Sequence, residues 1–326
     1  MEPGLALPKH LRAIALGAIL WLVGCSSVSD SRDTRVQATP TTAAIETVST
    51  TSTFARAARE ASPETPRPLL HAVGLIERLV ADEQSWNIEP NIFASDLTTV
   101  AAIGCTPGTE TCDPAGLANL QASGIDIVNI ATRAVAAADE SAVADFVGAA
   151  AEVGLSVVGM SAPDPDVVRP TVVIRGETRI AVFAIDLGTS TTASGTVTSE
   201  HLDALLNAID ATRSDDVPVV AFVDWGVVDA RAASAEQIER ADQLFSAGTT
   251  AVIGHGPGLL QRFESDEDTF TAFNLGRAQT ASEGLSADTA AARIDLSSEI
   301  DSCLLAATAS SAGLSFSGLD ADTPCS

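Results

Sequence analysis

From residue 67 onward, the apolar positions alternate between two periods. Residues 68–81 carry Leu69, Leu70, Val73, Ile76, Leu79 and Val80 at helical spacing and predict a helix. Residues 113–123 predict a short helix stopping at Gly124, and 125–130 an apolar strand. Ser141 stands where it would cap a helix with Val143, Phe146, Val147 and Ala150 inward, ending at Gly154. Residues 155–160 read as the next strand. The runs 171–174 and 179–185 flank Arg-Gly-Glu-Thr, a hairpin signal. Ser199 opens a helix that turns Leu202, Leu205, Leu206 and Ile209 inward, and 217–223 is a strong buried strand. Ser234 and Gln237 form a capping box for a helix ending at Ala247-Gly248. Short strands are expected at 250–253 and 270–274, and closing strands at 293–296 and 304–308.

Strands that are apolar throughout, alternating with helices, are buried on both faces. The expected class is therefore α/β, as a mixed sheet or a two-sheet sandwich, without internal repeats. Ligands of such folds bind beyond the carboxyl ends of the strands. The loops after Ile130, Val223, Ile253 and Phe273 are the places to look for chemistry.

The first residues follow another pattern. Lys9 and Arg12 precede an apolar run over 13–23, and 22–25 read Leu-Val-Gly-Cys. The run is shorter than the roughly 20 residues needed to span a bilayer. A charged start, a short apolar stretch and a small residue before cysteine resemble the lipobox of bacterial lipoproteins. The resemblance implies cleavage before Cys25 and diacylglycerol on its thiol. Residues 26–66 are rich in Ser, Thr, Ala and Pro without apolar period, so burial cannot offset their ordering entropy. The expected division is a signal peptide at 1–24, a lipidated Cys25 with a disordered tether at 25–66, and one α/β domain at 67–326. The expected location is the extracytoplasmic face of the cell membrane, held by lipid.

Charge narrows the partners. The formal net charge is −25, from 18 basic and 43 acidic residues, and the sole lysine, Lys9, leaves with the signal. Nucleic acid requires a basic patch and is excluded as a partner. Adhesion to an anionic bilayer by charge is disfavoured too, which leaves attachment to the lipid. Besides Cys25 the chain has Cys105, Cys112, Cys303 and Cys325. An exported location permits disulfides. The pairs Cys105–Cys112 and Cys303–Cys325 close the shortest loops and are the expected bridges. A cysteine metal site lacks both a C-x-x-C pair and nearby histidines.

The stretches 117–131, 219–226, 247–258 and 273–276 resemble, in this order, motifs of the CapA family of capsule and poly-gamma-glutamate synthesis proteins, a branch of the calcineurin-like metallophosphoesterases. Residues 117–131 resemble the approach to its Asn-Asn-His motif, and 219–226 its strand ending in His-Trp-Gly. Residues 247–258 are similar to its Ala-Gly-Ala-Asp-x-Val-Ile-Gly-His-x-Pro-His, and Phe273-Asn274-Leu275-Gly276 to its Tyr-Ser-Leu-Gly. The resemblance implies a metallophosphatase-like α/β sandwich with mixed central sheets. It also implies a site for one or two metals that polarise a phosphoryl-like group and activate water.

At the matching positions most of the family's ligands are replaced. Ser95-Asp96-Leu97 stands for Asn-Leu-Glu, and Thr132-Arg133-Ala134 for Asn-Asn-His. Asp224 stands for the histidine of His-Trp-Gly, Gly258 for the last histidine, and Arg277 for the asparagine of Leu-Gly-Asn. Only His255 keeps a matching histidine. A vestigial pocket of Asp96, Arg133, Asp224, Trp225, His255, Asn274 and Arg277 is expected, with no metal, cofactor or catalytic residue. Asp224 and His255 should neighbour each other at strand ends, with the carboxylate favouring a protonated His255. Arg133 and Arg277 either bind an anion or pair with Asp96 or Asp224. His71 and His201 read as surface or packing residues, and Trp225 as wall.

Two functions compete. One is a non-catalytic surface lipoprotein that binds or organises an envelope polymer or a partner protein. The other is a residual metal-dependent hydrolase or transferase acting on an envelope or capsule polymer. The ligand tally favours the first. A solute-binding lipoprotein fits less well, since the chain is short for two lobes and lacks an aromatic-rich cleft, and with ten Phe, three Trp and no Tyr a stacked-sugar platform is disfavoured too.

Overall fold

A computed structural model describes residues 69–81, 88, 97–175, 178–188, 195–213, 217–266, 268–279 and 289–296, with the backbone of 301–310 and 313–316. Cys25, the tether, Asp96 and Cys325 lie outside these residues, as does the side chain of Cys303.

The first half runs β1 (Leu69–Ile76), β2 (Thr98–Ile103), α1 (Leu117–Ala122), β3 (Ile127–Asn129), α2 (Arg133–Ala136), α3 (Glu140–Glu152) and β4 (Ser156–Val158). It continues with β5 (Thr171–Arg175), β6 (Thr178–Asp186), α4 (Leu202–Arg213), β7 (Val219–Asp224), α5 (Ala235–Ala247) and β8 (Ala251–His255). The last strands are β9 (Phe263–Ser265), β10 (Phe270–Ala272), β11 (Arg277–Gln279), β12 (Ala290–Asp295), β13 (Asp301–Ser310) and β14 (Gly313–Phe316).

Among the described residues the strands form two mixed sheets. One has the order β14-β13-β12-β1-β2-β3-β4, with β11 pairing β1, and the other β5-β6-β7-β8-β10-β9. Leu70, Ala72, Val100 and Ile127 face the second sheet in one core, which extends to Leu205 and Ile209 of α4 and Ala241 and Leu244 of α5. On the opposite face of the first sheet, Val73, Ala101 and Val128 pack with Leu120 of α1 and Phe146 of α3. The result is an α/β sandwich with helices outside both sheets.

Local signals hold where side chains act on their own backbone. Ser234 Oγ accepts the Gln237 N–H at 3.2 Å, Gln237 Oε1 accepts the Ser234 N–H at 3.0 Å, and Gly248 ends α5 at φ 113°. Two caps shift. α3 begins after Asp139 rather than Ser141. The helical segment at 199 follows Thr198, whose N–H donates to Nδ1 of the buried His201 at 3.2 Å.

The helix expected over 68–81 is strand β1. It lies between β12 and β2 and is buried from Leu70 to Ile76, so its apolar run carries no face to tell the periods apart. Gly74 fits this crowding, since a Cβ there would lie 2.7 Å from Thr289 Oγ1 and 2.8 Å from the Gly276 carbonyl oxygen. His71 is accordingly a buried strand residue. β2, buried at every position, had no expected counterpart.

Cys105 and Cys112 form the expected disulfide, with Cα atoms 5.4 Å apart. The expected Cys303–Cys325 bridge falls outside the described side chains.

Candidate functional site

Three parallel strands of the second sheet end in register on polar residues. Asp186 closes β6, Asp224 closes β7 and His255 closes β8, with Asp186 paired to Asp224 and Asp224 to His255. Register partners project to the same face, and all three are buried. The row therefore lies at the carboxyl edge, where the α/β rule places ligands.

Arg133, the first residue of α2, reaches this row. Its Nε donates to Asp224 Oδ1 at 2.8 Å, Nη2 lies 2.7 Å from the same oxygen, and its backbone N–H donates to Oδ2 at 3.0 Å. Nη2 also donates to the carbonyls of Trp225 at 3.0 Å and Gly226 at 3.2 Å. Both Asp224 oxygens are thus occupied by one residue. Burial pushes the Asp224 carboxyl up to about 6, against the pull of Arg133 and with a further push from Asp186.

His255 is not governed by that carboxylate. Its Nε2 lies 3.2 Å from Nδ2 of Asn129, the last residue of β3. Asn129 Oδ1 accepts the Ala131 N–H at 2.9 Å, which turns its amide donor toward the ring. Nε2 then accepts, and the neutral ring carries its proton on Nδ1, which has no hydrogen-bond partner. Burial lowers the His255 pKa to about 3, so the expected protonated imidazole is corrected to a neutral one. A stacked contact with Phe222, centroids 5.6 Å apart, fixes the ring further.

The other expected pocket residues divide between wall and rim. Trp225 is buried, donates Nε1–H to the Phe273 carbonyl at 2.9 Å and stacks on the Phe273 ring. Asn274 braces its loop by donating to the Leu259 carbonyl and accepting the Gly276 N–H. Arg277 pairs with Glu77 at 2.5 Å and reaches Asp229 at 3.5 Å, neither of them a carboxylate expected for it. It packs over Gly258, where a Cβ would lie 2.2 Å from the guanidinium.

Sequence reasoning missed Asp186, Asn129 and Glu77. Asp186 follows directly on the expected strand 179–185, so the strand-end rule that singled out Asp224 would have found it. Asn129 closes β3 and lies near the end of the expected strand 125–130, so the same rule points near it, whereas Glu77 gains its partner from a distant strand and no local signal marks it.

Among the described residues, no three His, Cys, Asp or Glu side chains converge so as to hold a metal ion. The donor atoms explain this, since Arg133 occupies both oxygens of Asp224 and Asn129 faces Nε2 of His255. As arranged, Asp224 and the Nε2 side of His255 do not fit a metal.

Residues 82–278, more than half of the chain, match the family model described as bacterial capsule synthesis protein PGA_cap. The chain belongs to this family. The PGA_cap match covers every element that lines the row, from β2 through β8, and also the Phe273–Gly276 loop. It bears out the CapA resemblance of the ordered motifs. No curated protein matches the sequence. A hypothetical protein from Thermus thermophilus is similar in structure at TM-score 0.46 and 11% identity, covering 72% of this chain and 98% of its own. A novel phosphatase from Mycoplasma pneumoniae is similar at TM-score 0.46 and 7% identity, covering 74% and 94%. A 5'-nucleotidase from Candida albicans reaches TM-score 0.42 at 7% identity, covering 74% of this chain and 52% of its own.

Proposed function

We propose that this protein is a lipid-anchored envelope protein whose PGA_cap domain binds or organises an envelope polymer or a partner protein without hydrolysing phosphoesters. One observation carries the reading. A guanidinium group from the chain itself neutralises Asp224 at the carboxyl edge of the sheet, where a metallophosphoesterase would place a cation. Metal-assisted hydrolysis needs a metal held by protein ligands with a position left open for water, and Arg133 takes both Asp224 oxygens that could act as such ligands, Oδ1 through its side chain and Oδ2 through its backbone N–H. The anchoring part rests on Leu22-Val23-Gly24-Cys25 and the apolar run before it.

The test measures metal content of the purified full chain and its hydrolysis of a generic phosphodiester with added manganese. The expected result is no stoichiometric manganese, zinc or iron and no turnover above buffer. Robust turnover that disappears in His255→Ala would instead establish a residual metal-dependent hydrolase.

A further inference from the structure

The space around the Arg133 guanidinium is lined by acceptors. It meets Asp224 Oδ1, the Trp225 carbonyl and the Gly226 carbonyl, and its own backbone N–H holds Asp224 Oδ2. Next in register to Asp224, Asp186 has Oδ1 bound by the Gly188 N–H at 2.8 Å, while Oδ2 is fully buried without a hydrogen-bond partner. A buried carboxylate oxygen without a donor is costly, and it belongs to the same row.

The shape of this space is as specific as its polarity. A Cβ at Gly188 would lie 3.1 Å from Arg133 Nη2, and one at Gly256 would lie 2.7 Å from the same atom. Gly256 sits at φ +106°, a conformation that side chains rarely adopt. Two loops, after β6 and after β8, thus lack side chains where the guanidinium lies. Walls free of side chains, with acceptors at one edge, suit a planar fork of N–H donors better than a spherical ion, which requires ligands on all sides.

We infer that the carboxyl edge of the second sheet carries a guanidinium-selective cation pocket, which the protein fills with its own Arg133. The pocket binds α2 to the end of β7 and the loop after it through a half-buried cation, with the loops after β6 and β8 packed alongside. The inference shares with the functional reading only the observed position of Arg133. Its test reads stability rather than turnover, so hydrolase activity would overturn that reading and leave this one standing.

The test compares the full chain with Arg133→Ala and with the double variant Arg133→Ala/Asp224→Asn. Melting temperature is recorded with low-millimolar guanidinium chloride, methylguanidinium chloride or manganese chloride. Guanidinium and methylguanidinium are expected to raise the melting temperature of Arg133→Ala by a few degrees, saturably, and to leave wild type and the double variant unchanged. The double variant removes the general affinity of an acidic surface for cations from the comparison. No rise in Arg133→Ala, an equal rise in the double variant, or a larger Asp224-dependent rise with manganese would each overturn the inference. A measurement on wild type covers the case in which Arg133→Ala fails to fold. One arginine Nε–H resonance should exchange slowly with solvent and vanish in Arg133→Lys. Fast exchange of the Arg133 Nε–H would also overturn the inference.

Discussion

His71 lies in register between Arg293 of β12 and Thr99 of β2, fully buried, and neither ring nitrogen has a hydrogen-bond partner. Burial, then the charge of Arg293, lowers its pKa to about 4. The folded value lies below the unfolded one, so the contribution to stability is complete above about pH 6.5 and is lost as pH falls through about 4. The loss is on the order of 3 kcal/mol. Replacing an unpartnered buried imidazole with an apolar side chain removes that dependence. The urea midpoint of wild type should therefore fall more steeply between pH 6.5 and 4 than that of His71→Leu, and equal slopes would assign the acid sensitivity elsewhere. Gly256 illustrates steric rather than electrostatic necessity. A Cβ there would lie 2.5 Å from both Asp224 Oδ1 and the Trp225 carbonyl oxygen, at φ +106°. Gly256→Ala should cost about 2 kcal/mol in chemical denaturation, and a cost near zero would mean that the loop after β8 yields freely.

At the scale of elements, the reciprocal capping signal was legible, single capping residues shifted, and signals requiring a neighbouring strand were not legible. Ser234 and Gln237 cap α5 as expected because both partners lie within three residues. β1 escaped because its neighbours β12 and β2 bury both faces, which removes the alternation that marks a strand. The Cys105–Cys112 bridge was legible by proximity, and the structure shows what it secures. Leu79 exchanges hydrogen bonds with the closed loop, donating to the Thr111 carbonyl at 2.8 Å and accepting the Asp113 N–H at 2.9 Å. The bridge thus fixes the loop after β2 that these hydrogen bonds join to the chain following β1. A loop this short predicts stabilisation of about 2 kcal/mol, mainly by limiting the unfolded chain. Cys105→Ala/Cys112→Ala should lose that amount in a denaturant titration at constant pH. An unchanged midpoint would show that the hydrogen bonds of Leu79 suffice.

Across the whole molecule, charge and anchoring belong together. A chain of net charge −25 is repelled by anionic lipid, so membrane attachment rests on Cys25 in the proposed reading. Cys25→Ser should abolish incorporation of a fatty-acid analogue during metabolic labelling and leave precursor or soluble protein. Label retained in that variant would refute the anchor. The sequence by itself determined the α/β class, most helices, the capping box of α5, one disulfide and the family, because each follows from local periodicity, short-range hydrogen bonds or motifs in order. It also placed Asp224 and His255 at strand ends. Only the tertiary structure decided which groups those residues meet. Strand register set Asp186 beside Asp224, α2 delivered Arg133 to the carboxylate, and the first sheet brought Asn129 to His255. It also decided that His255 is neutral, because its ionisation depends on burial and on partners more than a hundred residues away in sequence, which no local pattern encodes.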